Sequence, residues 1–170
     1  NRVILAGNPE NSIATSLQNV AIKESGMKFK SGEFTPGKAV HLYSSLRYNP
    51  VHRECIIDDR RIPEYFSENP YLYLSSLESA GLNLDTVLVD AAVINGCGNI
   101  IIDDLAVQDV NAAVFTSTLY SYIHKGVSVD RAFSLAKTAV IEDKRYKHPS
   151  FWEGLRLYVR PSDIDIMKSK

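Results

Sequence analysis

Two cysteines, Cys55 and Cys97, and four histidines, His41, His52, His124 and His148, supply all the thiol and imidazole of this chain. A cysteine nucleophile acts as its thiolate, and a neighbouring imidazole lowers the thiol pKa and later protonates the leaving group. His52 and Cys55 stand three apart in segment 47–59, which carries three basic or imidazole side chains, Pro50 and no periodicity. That segment reads as a solvated loop. Cys97 lies in Asn-Gly-Cys-Gly and reads as a small buried residue in a tight turn, since free cysteine packs as a small hydrophobe. Ser75 and Ser76 close an apolar run, where a nucleophile would be displayed. A serine needs an aligned base, and the nearest imidazole, His41, falls one residue-face off. These serines read as strand-end polar groups.

The remaining imidazoles have structural readings. His41 sits in an apolar run as a hydrogen-bonded core histidine, His148 precedes Pro149 in a turn, and His124 falls near a helix C-terminus, where it meets the dipole. No pair of them has metal-ligand spacing, so no metal is expected. The turn GNPENS lacks the Lys of a P-loop and the glycine pattern of a dinucleotide fold, and no cofactor is expected. Among the acids, Asp103 and Asp104 end an apolar run and Asp109 precedes a helical one. A helix cap at Asp109 and a solvated strand end account for them. Asp58 and Asp59 read as loop or capping residues.

Elements that would position these groups follow from periodicity. Short apolar runs at 2–7, 39–43, 71–76 and 99–102 predict buried strands, and 27–34 a poor strand or loop. Helical spacing predicts helices near 13–21, 86–94, 110–124 and 128–142, with one helical turn at 62–66. The stretch 151–159 predicts a closing strand. Strands alternating with helices imply an α/β domain with a mostly parallel sheet covered on both faces. Function is then expected at the strands' C-terminal ends.

Composition limits the partners. The 170 residues suit one domain, 1–170, and 45% hydrophobic with 23% charged residues is ordinary for a globular protein. Nineteen basic against twenty acidic residues leave a net charge of −1, with no footprint for nucleic acid or an anionic membrane. No apolar run approaches the roughly 20 residues of a membrane span. NRVILAGNPENS lacks the charged segment and long apolar core of a secretory signal, so a reducing, cytoplasmic setting is expected. The first residue is Asn, and a longer parent chain is expected.

The segment HKGVSVDRAFSLAKTAVIEDKRYKHPSFWEGLRLYV, at 124–159, resembles the closing section of CHAT domains, caspase-like peptidase domains often joined to tetratricopeptide repeats. The matching parts are a helix ending at Gly126, an A-x-x-x-A face at Ala132 and Ala136, and a His-Pro-x-x-Trp turn at His148, Pro149 and Trp152. GCGNIIIDDLAVQD is similar to the family's segment of form GARSVVASLWPVDD, and ILAGNPE to its first strand and Gly-x-Pro turn. The resemblance covers nearly the whole chain in shared order and spacing. It implies a caspase-like three-layer fold, a mostly parallel central sheet flanked by helices.

In that family the catalytic His ends a strand of form HLATHG and the catalytic Cys ends the next, of form LSACETG. Here the first strand reads VHLYSSL, which matches His41 to a structural His and Ser45 to the catalytic position. The second reads YLYLSSLESAG, which matches Leu77 to the nucleophile, followed by Glu78. Leucine cannot attack a carbonyl, and serine is no base near neutral pH. Asp109 matches a family acid used in recognising basic substrate side chains, Gln108 departs from its acidic neighbour, and Asp103 and Asp104 match none. The resemblance implies a retained peptide-binding role for this region, at Asp103, Asp104 and Asp109. The family's helix before the HLATHG strand is replaced by KSGEFTPGK, which would leave a sheet face for a partner. The resemblance thus implies a catalytically inactive, pseudoprotease module that binds a protein partner or a flanking domain. The alternative is an active CHAT-type cysteine peptidase with relocated catalytic residues.

Overall fold

A computed structural model of the chain describes residues 2–7, 20, 23–26, 28–31, 39–43, 46–49, 51–52, 54–57, 60–61, 71–75, 98–103 and 109–159. In chain order the strands are β1 (Arg2–Gly7), β2 (Lys28–Ser31), β3 (Ala39–Tyr43), β4 (Leu46–Asn49), β5 (Glu54–Ile57), β6 (Arg60–Arg61), β7 (Tyr71–Ser75) and β8 (Asn99–Asp103). Helices α1 (Asp109–His124) and α2 (Val129–Glu142) follow, and then strand β9 (Leu155–Val159). The helices expected at 13–21 and 86–94, the turn at 62–66 and most of the KSGEFTPGK stretch fall largely or wholly outside the described residues.

One sheet has the order β2-β1-β3-β7-β8-β9. Neighbouring strands are parallel from β2 through β8, and β9 runs antiparallel to β8. The apolar run in β8 shows why it lies inside: Ile100, Ile101 and Ile102 are all buried, so both faces of this strand are covered. An unbroken β-branched run is what such a position requires.

The helical pair packs on one of those faces. Phe115, Leu119 and Tyr120 of α1 meet Ala132, Phe133, Ala136 and Val140 of α2 in one cluster with Ile101 and Leu155. The two alanines of the A-x-x-x-A face are fully buried. Phe115 and Phe133 stack edge to face at 5.5 Å and 77°, worth about 0.5–1.5 kcal/mol beyond area burial. Between the helices, Gly126 takes φ +82°. Its N–H donates to the Ile123 carbonyl and the Val127 N–H to that of Tyr122, each at 3.0 Å. That double bond is the Schellman ending which glycine makes possible.

Segment 47–59 departs from the loop expectation. Strands β4 and β5 pair antiparallel, Leu46 opposite Ile57 and Tyr48 opposite Cys55, and β5 continues to β6 in a separate three-stranded sheet. The turn is organised by Asn49, whose Oδ1 accepts from the N–H groups of Val51 at 3.0 Å and His52 at 3.4 Å. Strand β9 also begins later than residue 151, because a 3₁₀ turn at Pro149–Phe151 comes first. Pro149 suits its opening position, and His148 Nδ1 accepts from the Ser150 N–H at 3.3 Å. No helix among the described residues is long and apolar enough to cross a membrane.

Candidate functional site

The C-terminal ends of the parallel strands share one register. Gly7 lies opposite Tyr43, Tyr43 opposite Ser75, Ser75 opposite Asp103, and Asp103 opposite Leu155 of the antiparallel β9. Two residues back, a second row joins Leu5, His41, Tyr73, Ile101 and Leu157. Residues in register, or two apart along a strand, share a face. Leu155, Ile101 and Leu157 are on the face that packs against α1 and α2. His41, Tyr43, Tyr73, Ser75 and Asp103 therefore belong to that same face of the sheet.

This register corrects the relation of His41 to Ser75, which are on one face and diagonal, roughly 8 Å apart in Cα by ordinary strand spacing. The order across the sheet does not make them a hydrolytic triad. His41 is on β3, Ser75 on β7 and Asp103 on β8, so the hydroxyl residue falls between imidazole and carboxylate. Acyl transfer needs the imidazole in the middle, hydrogen-bonded to both.

Asp103 is 2% exposed, where a solvated strand end was expected. Aspartate is almost never fully buried unless it is paired, and Asp103 is engaged with a partner group. Asp109 opens α1 in the backbone. Asp104, Ser45, Ser76, Leu77, Glu78, Asp58, Asp59 and Cys97 lie outside the described residues. Strands β3 and β7 nonetheless end together, and Ser45 and Leu77 each follow in sequence two residues after the paired Tyr43 and Ser75. His52 is exposed in the hairpin turn, and Cys55 follows on β5 opposite Tyr48.

His148 faces its own turn, its Nδ1 2.8 Å from Ser150 Oγ. Trp152 packs half-buried against the helical cluster. His124 closes α1, and its imidazole lies against Gly26. Among the described residues no group of three or more His, Cys, Asp or Glu gathers closely enough to hold a metal ion. The polar group that sequence reasoning passes over is Lys137, on the packed side of α2. Its signal was its place four residues after Phe133 and three before Val140, a spacing that marks a buried stripe. Comparison with known protein families finds no matching family, and no curated protein matches the chain.

Proposed function

We propose that this chain is a catalytically inactive caspase-like module, with a three-layer α/β fold, that acts in a cytoplasmic setting as a scaffold or regulatory domain for a protein partner or a flanking domain. The observation that carries this reading is the paired ending of β3 and β7, with Tyr43 opposite Ser75. Two residues on from that pair, the positions at which related peptidases hold imidazole and thiol carry Ser45 and Leu77. A hydroxyl and an aliphatic group supply neither a base nor a nucleophile at neutral pH.

The buried Asp103 at the end of the next strand fits a structural carboxylate better than a substrate-facing one. Asp104 and Asp109 remain the acids for a retained peptide-binding role. The test is incubation with Arg- and Lys-containing peptide reporters and a thiol-directed covalent probe. No turnover is expected. Turnover abolished by Cys97→Ala or Cys55→Ala would overturn the proposal in favour of a peptidase with relocated residues.

A further inference from the structure

Beyond α2 the chain runs through two 3₁₀ turns, Lys144–Tyr146 and Pro149–Phe151. They are pinned by the buried Tyr146 and the half-buried Phe151, whose ring centroids are 5.4 Å apart. The polar residues around these anchors face water: Lys144, Arg145, Lys147, His148 and Ser150 are all exposed. His148 Nδ1 accepts from the Ser150 N–H at 3.3 Å, which turns its lone pair to the Ser150 hydroxyl, 2.8 Å away. Other exposed hydroxyls are engaged differently, since Ser134 and Thr138 donate to carbonyls of their own helix at 3.0 Å and 2.9 Å. Ser150 is an accessible alcohol beside an imidazole. Lys147 stands three residues before it, Arg145 five before it, and the apolar Phe151 directly after.

We propose that Ser150 is a phosphoryl-acceptor site for a basophilic protein kinase, and that His148 holds the phosphate once it is in place. In the transfer, Ser150 Oγ attacks the γ-phosphorus of a nucleoside triphosphate, and its proton passes to the kinase's base. The bond from that phosphorus to the β,γ-bridging oxygen breaks, and the nucleoside diphosphate leaves. Acidic groups of the kinase meet Arg145 and Lys147. Arg145 is free to turn to them, because its exposed contact with Asp143 is of a kind that yields readily in water. The turn itself is short, closed by the Phe151 N–H on the His148 carbonyl and the Trp152 N–H on that of Pro149, each at 3.0 Å. Such local structure opens without unfolding the domain. The phosphate brings about −1.5 to −2 charges into this basic run, and a protonated His148 donates its Nδ1–H to it. This inference is independent of the lost catalytic positions.

The whole chain is incubated with ATP, Mg²⁺ and a protein kinase selective for basic residues three and five positions before its acceptor. Mass spectrometry then locates the phosphate. It is expected at Ser150, lost in Ser150→Ala and kept in Ser150→Thr. Arg145→Ala with Lys147→Ala should lower kcat/KM about tenfold. All these residues are exposed, and an unchanged far-UV spectrum in each variant shows that the fold persists. A ³¹P titration of the phosphorylated chain follows the phosphate's second ionisation, ordinarily about 6. Its midpoint should be depressed in the parent and return toward that value in His148→Ala, because an imidazolium favours the dianion. An unmodified Ser150 overturns the proposal, as does a rate unchanged by loss of both basic residues. So does a midpoint that His148→Ala leaves unmoved.

Discussion

Gly26 and His124 meet across the fold: a Cβ on Gly26 would stand 3.2 Å from the imidazole Cδ2 and 3.3 Å from Nε2. Gly26 also takes φ +82° and donates its N–H to the Lys23 carbonyl at 3.2 Å. Its glycine thus answers both a backbone need and a steric one. Gly126 shares the same φ, with nothing within 4 Å of a Cβ. Gly126→Ala is expected to cost about 1 kcal/mol, the left-handed penalty alone. Gly26→Ala should cost more, about 2 kcal/mol, because the imidazole must also shift. Urea unfolding of the two variants checks this, and equal losses would show that the His124 ring yields freely.

The helical pair makes a similar comparison. Ala132 and Ala136 are fully buried beneath α1, so either one changed to Leu adds volume where there is no room. A loss of about 1–3 kcal/mol is expected for each. Ser134, on the exposed side of α2, spends its hydroxyl on the Asp130 carbonyl at 3.0 Å. Ser134→Ala should stay within about 0.5 kcal/mol of the parent. Thermal unfolding of the three variants measures the contrast.

Asp143 offers a pH-dependent test. The Arg145 guanidinium lies 2.7 Å from Oδ2, and the Arg145 backbone N–H donates to Oδ1 at 2.9 Å. Chiefly through the side-chain bonds, and then the backbone bond, Arg145 holds this carboxyl at about 2, down from 3.8. A carboxyl depressed in the folded state stabilises the fold above its unfolded pKa, and that stability is lost as pH falls. The window therefore runs from about 4 down to 2. Asp143→Asn should flatten this part of the pH–stability curve, and a carboxyl NMR titration should place the group below the ordinary aspartate range.

Asp103 separates a structural acid from a binding one. Asp103 is buried at the end of β8 and engaged in an interaction there, which Asp103→Asn would disturb. A loss of about 1–3 kcal/mol is expected. A variant as stable as the parent, but altered in binding Arg-containing peptides, would return Asp103 to the peptide-binding role.

How far the sequence speaks depends on period and on burial. The apolar run within Asn99–Asp103 declares a strand, because a strand covered on both faces has no polar face to alternate. The ends of α1 and α2 were legible from Gly126 and Ser128, whose backbone roles are local. The hairpin from Leu46 to Ile57 was hidden. Its alternation of Leu46, Tyr48, Cys55 and Ile57 is split by the turn around Pro50 and masked by Arg47 and Arg53. The burial of Asp103 was hidden for another reason, since a carboxylate at a strand end is soluble or paired according to neighbours distant in sequence. Lys137 was passed over because a lysine in a helical stripe is ordinarily counted as surface, although its stem packs readily.

The register of β3 and β7 supports a constructive test of the proposed inactivity. If Ser45 and Leu77 occupy the lost imidazole and thiol positions, Ser45→His with Leu77→Cys should create a pair in which the imidazole lowers the thiol pKa. An ordinary thiol with pKa near 8.5 is scarcely ionised at pH 6, whereas an imidazole-paired thiol is substantially a thiolate. Labelling by a thiol-directed probe at pH 6, in a background carrying Cys55→Ala and Cys97→Ala, should be about tenfold or more faster in the double variant than with Leu77→Cys alone. The comparison isolates the pair, since both proteins carry one thiol at one position. Equal rates would mean that these residues do not face one another beyond Tyr43 and Ser75, and the assignment of the lost site to them would fall.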